Sequence, residues 1–186
     1  NKISKIKRSI KSKDLPNVYL LNGEFSDKEM NDLYNHPKVK AMVTTTKGEG
    51  FGRPLLEFST SGKPIIASGW SGHLDFLNPS FTTLLKGYLE NVHPATANNW
   101  LVQESKWFQV DGTHLRQSLK DVFKKYKEYS VKGKQQKQYV KSNFSWEKMS
   151  DLIHSKLDKD LVINASPKQV ELSLPKLALP KLTKIN

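Results

Sequence analysis

A chain of 186 residues with 37% apolar and 26% charged side chains is long enough for one domain with a sizeable core, yet apolar-poor enough that part of it lies outside packed structure. No apolar run approaches the roughly 20 residues of a membrane span, no secretory signal opens the chain, and the lack of cysteine excludes disulfides and thiolate metal sites. A cytoplasmic setting fits, and an opening at Asn1 instead of Met reads as the removal of upstream sequence.

The formal net charge of +12 is unevenly placed. Residues 1–13 hold six Lys or Arg and no acid, residues 115–141 nine against two acids, and residues 159–186 five against two. Residues 14–114 carry eight basic and eleven acidic side chains, a net −3, so the excess sits on the flanks of a mildly acidic centre. Such flanks attract polyanions, although lysines on solvated helix faces explain them as well.

Ile3, Ile6 and Ile10 recur at helical spacing among lysines, which predicts an amphipathic helix over 2–13. Pro16 breaks it, and Val18-Tyr19-Leu20-Leu21 reads as a short buried strand that ends at Asn22-Gly23. Ser26-Asp27-Lys28-Glu29 is a capping box opening a helix through Met30, Leu33 and Tyr34. A second buried strand is predicted over 39–43, a polar glycine-rich loop over 44–52, and a helix over 54–61 stopped by Gly62 and Pro64. Ile65-Ile66-Ala67 is the third strand.

Strands alternating with helices over short connections predict an α/β fold, here an incomplete doubly wound, Rossmann-like parallel sheet already under way at the first residue. Residues 81–92 allow extended structure and 100–110 are irregular or partly strand. Leu115, Leu119, Val122, Phe123 and Tyr126 restore helical spacing, a further helix runs through Tyr139 and Val140, and Ser145 can cap a last one carrying Met149, Leu152, Ile153 and Leu157. The domain is read over 1–160. The near-repeat Leu-Pro-Lys-Leu at 174–177 and 179–182 forbids helix, and 161–186 reads as an extended or disordered tail.

The chemistry concentrates in Lys47-Gly48-Glu49-Gly50-Phe51-Gly52-Arg53-Pro54-Leu55-Leu56-Glu57. A loop leaving the carboxyl end of a strand and opening a helix is where doubly wound sheets bind ligands. Its glycines let the backbone approach a ligand, and Pro54 suits the first helical turn. Amides around Gly52, Arg53 and Leu55 then point at an anion. Glu49 in the loop and Glu57 one turn into the helix can face one ligand from two sides, and carboxylates accept from paired hydroxyls. A phosphate flanked by two polyols describes a sugar nucleotide.

The run from Glu49 to Glu57 resembles the Glu-x7-Glu signature of retaining glycosyltransferases with the two-domain GT-B fold, in the family of sucrose and glycogen synthase-like enzymes. Residues 17–23, 62–68 with Gly72 and Asp75, 107–115, and Phe144-Ser145-Trp146 carry supporting likeness, over roughly residues 1–157. The resemblance implies the C-terminal, donor-binding half of such an enzyme, which binds a UDP- or GDP-sugar and transfers the glycosyl group without a metal or other cofactor. It implies that Glu49 contacts the donor sugar at the reacting centre and that the amides of Gly50, Phe51, Gly52 and Arg53, with Leu55, touch the sugar or diphosphate. Glu57 binds the ribose, and the loop from Gly23 to Phe25 lies beside the base. The family's basic pair for the diphosphate and its acceptor-binding domain lie upstream, so residues 1–186 alone are expected to be inactive.

Plainer readings stand beside these. Two acids at a helix start also favour the dipole, and Arg53, where the family has an aliphatic residue, suits either a phosphate contact or solvent. His73 with Asp75 fits a capped turn better than a base or metal site; His93 and His114 read as structural. Trp100, Trp107 and Trp146 read as core or docking aromatics before a sugar-stacking platform. Ser61-Gly62-Lys63-Pro64 lacks the spacing of a phosphate loop. The rival function is a non-catalytic module whose basic helices hold nucleic acid or another partner.

Overall fold

Ile65, Ile66, Ala67 and Ser68 are all buried and form the central strand of a parallel sheet, in a computed structural model that describes residues 2–10, 15–96, 101–102 and 104–160. A strand flanked on both sides can be apolar throughout, because neither face meets water. The sheet has the order β1 (Met42–Val43), β2 (Ile65–Ser68), β3 (Thr83–Leu85), with Met42 opposite Ile65 and Ile66 opposite Thr83. An antiparallel pair, β4 (Gly87–Asn91) and β5 (Lys106–Val110), follows. Six α-helices complete the α/β arrangement among the described residues: α1 (Lys2–Ser9), α2 (Asp27–Asn35), α3 (Arg53–Ser59), α4 (Gly112–Lys124), α5 (Tyr126–Asn143) and α6 (Trp146–Asp160). Among the described residues no helix is long and apolar enough to cross a membrane. The chain divides into two units, Asn1–Lys141 and Ser142–Asn186.

Within the first unit the core gathers on β2. Ile66, Leu85 and Val122 form a buried cluster against which Ala41, Val110, Leu115 and Tyr129 pack. Helix α4 starts on Asp111, whose carboxylate accepts from the amides of Thr113 (2.7 Å) and His114 (3.2 Å). Those amides, His114 foremost, hold the Asp111 carboxyl below its usual range. Helix α5 meets the backbone after α3 through Gly133, where a Cβ would collide with the Gly62 carbonyl and the Lys63 backbone. This close approach explains a glycine in the middle of an 18-residue helix, where alanine is otherwise preferred. One turn on, buried Gln136 donates to the Phe76 carbonyl (2.6 Å) and accepts from the Asn78 amide (3.1 Å). Lys134 and Lys137 lie with their stems near Gly62, so part of the basic charge on α5 belongs to side chains that also pack. In the second unit Ser145 accepts from the Lys148 amide (3.3 Å) at the start of α6, as its position in the sequence predicts.

Several expectations are corrected. Residues 18–21 form no strand: Val18, Tyr19, Leu20 and Leu21 are 51%, 82%, 79% and 63% exposed. An apolar run becomes a strand only beside an edge that takes its hydrogen bonds, and among the described residues none does so. The third strand of this sheet is instead β3, from residues 81–92, for which the sequence allows extended structure. Strand 39–43 shortens to Met42–Val43, and α1 is described to Ser9, with 11–13 of the helix predicted over 2–13 outside the described residues. Trp146 is 85% exposed, not a core residue. Trp100 and the tail from residue 161 also lie outside the described residues.

Gln136→Leu removes two hydrogen bonds from a buried loop and should lower stability by about 2 kcal/mol in urea denaturation, against within about 0.5 kcal/mol for exposed Lys127→Ala. The Asp111 carboxyl is held below its unfolded value, so its contribution is present above about pH 4 and fades as pH falls through the folded value. Asp111→Asn, which still accepts but does not titrate, should flatten part of that acid loss of stability.

Candidate functional site

The loop after β1 is shaped by the segment after β2. Ser71 Oγ accepts from the Glu49 amide (2.9 Å) and donates to the Glu49 carbonyl (2.6 Å), and the Gly72 amide donates to the same carbonyl (3.1 Å). A Cβ at Gly72 would fall on the Gly50 carbonyl oxygen, so only glycine lets the two backbones meet. Ser71 itself has φ 88°, the one positive-φ residue other than glycine among the described residues. Such strain persists where surrounding bonds over-determine it, as the double link to Glu49 does.

Gly52 caps α3 in the left-handed conformation (φ 86°, ψ 46°), and a Cβ there would come within 3.0 Å of the His73 Cβ. His73 is fully buried under this turn in a short 3-10 helix, Gly72–Asp75, with Nε2 2.6 Å from the Ser68 carbonyl. With the proton on Nε2 that contact is a donated hydrogen bond, and buried Nδ1 has no hydrogen-bond partner among the described residues. His73 therefore props the turn from inside the fold. Among the described residues no group of three or more His, Asp or Glu is placed to hold a metal.

The helix mouth is narrower than the sequence predicts. The Leu55 amide donates to the Gly52 carbonyl (2.9 Å) and the Leu55 side chain is buried, so Leu55 is a structural residue of the first turn, not an anion donor. The Gly52 and Arg53 amides carry no such bond among the described residues. Phe51 lays its ring against buried Phe76, with centroids 5.0 Å apart.

Beside this mouth lies a cleft of about 610 Å³ between α2 and α3. Phe25, Asp27, Met30, Asn31 and Tyr34 line one side, and Arg53, Pro54, Glu57 and Thr60 the other. The α2 wall is fixed at both ends. At its start Ser26 and Glu29 form the predicted reciprocal cap, the Ser26 amide donating to Glu29 (2.8 Å) and the Glu29 amide to Ser26 Oγ (3.3 Å). At its end the Lys63 ammonium donates to the carbonyls of Tyr34 (2.6 Å) and His36 (2.7 Å). Burial, with Lys40 adding, pushes the Lys63 amine down. Tyr34 packs edge-on against buried Phe58, and burial together with the Glu57 carboxylate holds its phenol above its usual range.

Glu57 faces the cleft and pairs with Arg53 across one helical turn (Nε–Oε1 2.9 Å). Arg53 is thus neither buried nor idle: it is exposed and engaged with the second acid of the motif. Glu49 and Gly23 are not among the cleft-lining residues. The two acids stand on either side of the Gly52 turn, Glu57 in the cleft and Glu49 in the loop fastened to Ser71.

A second support was invisible in the sequence. The Lys47 ammonium lies 3.8 Å from the centre of the Trp107 ring, 3.3 Å from Glu90 and 3.2 Å from Gln109, while the Trp107 indole donates to Glu90 (2.9 Å). The Phe108 amide donates to the Lys47 carbonyl (2.9 Å), so the β4–β5 pair docks on the start of the site loop. Trp107 is a docking aromatic, as expected. His93 and His114 accept from the amides of Ala95 (3.1 Å) and Lys86 (3.0 Å) and are structural.

Gly72→Ala forces a Cβ onto the Gly50 carbonyl and should lower stability by about 1–3 kcal/mol, read by thermal or urea unfolding. Gly50→Ala meets nothing within 4 Å and should stay within about 0.5 kcal/mol of the parent. No protein-family model matches the chain, and no curated protein matches it.

Proposed function

We propose that this chain is the donor-binding half of a glycosyltransferase, holding a nucleoside diphosphate sugar for retaining, metal-independent transfer. The observation that carries the reading is the cleft that Glu57 and Phe25 share at the mouth of α3. A carboxylate that accepts from paired hydroxyls, with an aromatic ring in the same cleft, suits a ribose and its base. The cleft volume falls in the range of small-ligand sites. In this reading the parallel strands belong to one half of a doubly wound sheet, which binds ligands at the carboxyl ends of its strands.

The position of the acids suits an extended ligand. The nucleoside lies with Glu57 and Phe25, the diphosphate crosses the Gly52–Arg53 turn, and the sugar lies toward Glu49. Amides at that turn and the Arg53 guanidinium stabilise the charge that grows on the departing diphosphate. Glu49, held by its backbone to Ser71, presents its carboxylate to the reacting sugar.

Calorimetric titration with UDP and with GDP tests the reading. One nucleotide should bind, and Glu57→Ala should weaken it about tenfold or more. Equal affinity in parent and variant removes the ribose role of Glu57. Binding to duplex DNA that falls steeply with salt, without any nucleotide affinity, would favour the basic helices as the working surface instead.

A further inference from the structure

Among the described residues one ion pair lies within the cleft, and both of its members stand on the same wall. Arg53 and Glu57 are one turn apart on α3, with Arg53 Nε 2.9 Å from Glu57 Oε1. The side chains are 81% and 43% exposed, and no other charged side chain pairs with either among the described residues. As a device for holding a helix together this pair is weak. Water screens it, and the base precedes the acid, the less favourable order along a helix.

Its chemistry is better matched to a ligand. The contact through Nε occupies one of five guanidinium N–H donors and one of two carboxylate oxygens, so both groups keep bonding capacity for a third partner. Two groups of opposite sign held side by side suit a molecule that carries hydroxyls next to phosphate. The carboxylate accepts from the hydroxyls, and the guanidinium fork donates to phosphate oxygens. Each member also removes an obstacle for the other. Without Arg53, the Glu57 carboxylate would meet a diphosphate as a bare like charge. Its charge reaches the opposite wall of the cleft, where it opposes ionisation of the Tyr34 phenol. Without Glu57, an arginine this exposed would have many rotamers to give up on binding.

We propose that Arg53 and Glu57 act as one bracket that selects a nucleoside diphosphate over the bare nucleoside, Arg53 taking the phosphate while Glu57 holds the ribose. The proposal rests on the donor-binding reading of the cleft and adds that neither residue reaches its full effect without the other.

The test is a double-mutant cycle on the 186-residue chain: the parent, Arg53→Ala, Glu57→Gln and the double variant, each titrated calorimetrically with UDP and with GDP. For the nucleotide that binds, Arg53→Ala should weaken affinity about tenfold or more in the parent, and less than about threefold in the Glu57→Gln background. Binding of the matching nucleoside, read by saturation-transfer NMR, should stay within about threefold in Arg53→Ala. Arg53→Lys keeps the charge but loses the planar fork, and should leave the diphosphate at least about threefold weaker than in the parent. Diphosphate affinity unchanged in Arg53→Ala, full recovery by Arg53→Lys, or equal losses with and without Glu57 overturns the bracket and leaves the donor reading standing. Equal losses for nucleoside and diphosphate do the same, because Arg53 would then be only a wall of the cleft. A parent chain that binds neither nucleotide removes the bracket and the donor reading together.

Discussion

The approach of Gly72 to Gly50 is the constraint on which the site depends. Two loops leaving neighbouring parallel strands meet backbone to backbone, and the Ser71 hydroxyl closes the junction by bonding both polar atoms of Glu49. From there the chain can turn through left-handed Gly52 over His73 and start α3 with Arg53 and Glu57 on one side. A side chain on Gly72 or an ordinary φ at Ser71 would move Glu49, the Gly52 turn and the cleft wall together. Strain at Ser71 fits this account, since an unfavourable dihedral survives only where several bonds hold it.

What the sequence made legible is what short-range chemistry decides. Ser26 and Glu29 are three residues apart and cap α2 as read; Gly52 and Pro54 mark the opening of α3; Ile65, Ile66 and Ala67 mark β2, which runs on to Ser68. What it hid is long-range. Residues 18–21 have the composition of a strand, but pairing depends on an edge that composition does not reveal, and they lie exposed. Ser71 meets Glu49 across 22 residues, and Lys47 meets Glu90 and Gln109 across 43 and 62. No local pattern announces such contacts. Leu55 shows the limit from the other side: the rule that first-turn amides are free holds for Gly52 and Arg53, while Leu55 already bonds to Gly52.

The two acids of the motif differ in surroundings more than in distance along the chain. Glu57 sits in a cleft, paired with Arg53 and close enough to Tyr34 to oppose ionisation of its phenol. Glu49 is fixed through its backbone, which leaves the carboxylate to other partners. In the proposed reading Glu57 holds the ligand in place and Glu49 acts where the ligand changes.

The central claim, that the cleft between α2 and α3 receives a nucleoside diphosphate, is tested most directly by amide chemical shifts in a titration with UDP and GDP. With the nucleotide that binds, the account predicts saturable shifts at Phe25, Asn31, Gly52, Arg53 and Glu57. Saturable shifts confined to the lysines of α5, or no saturable shift along α2 and α3 with either nucleotide, would contradict it.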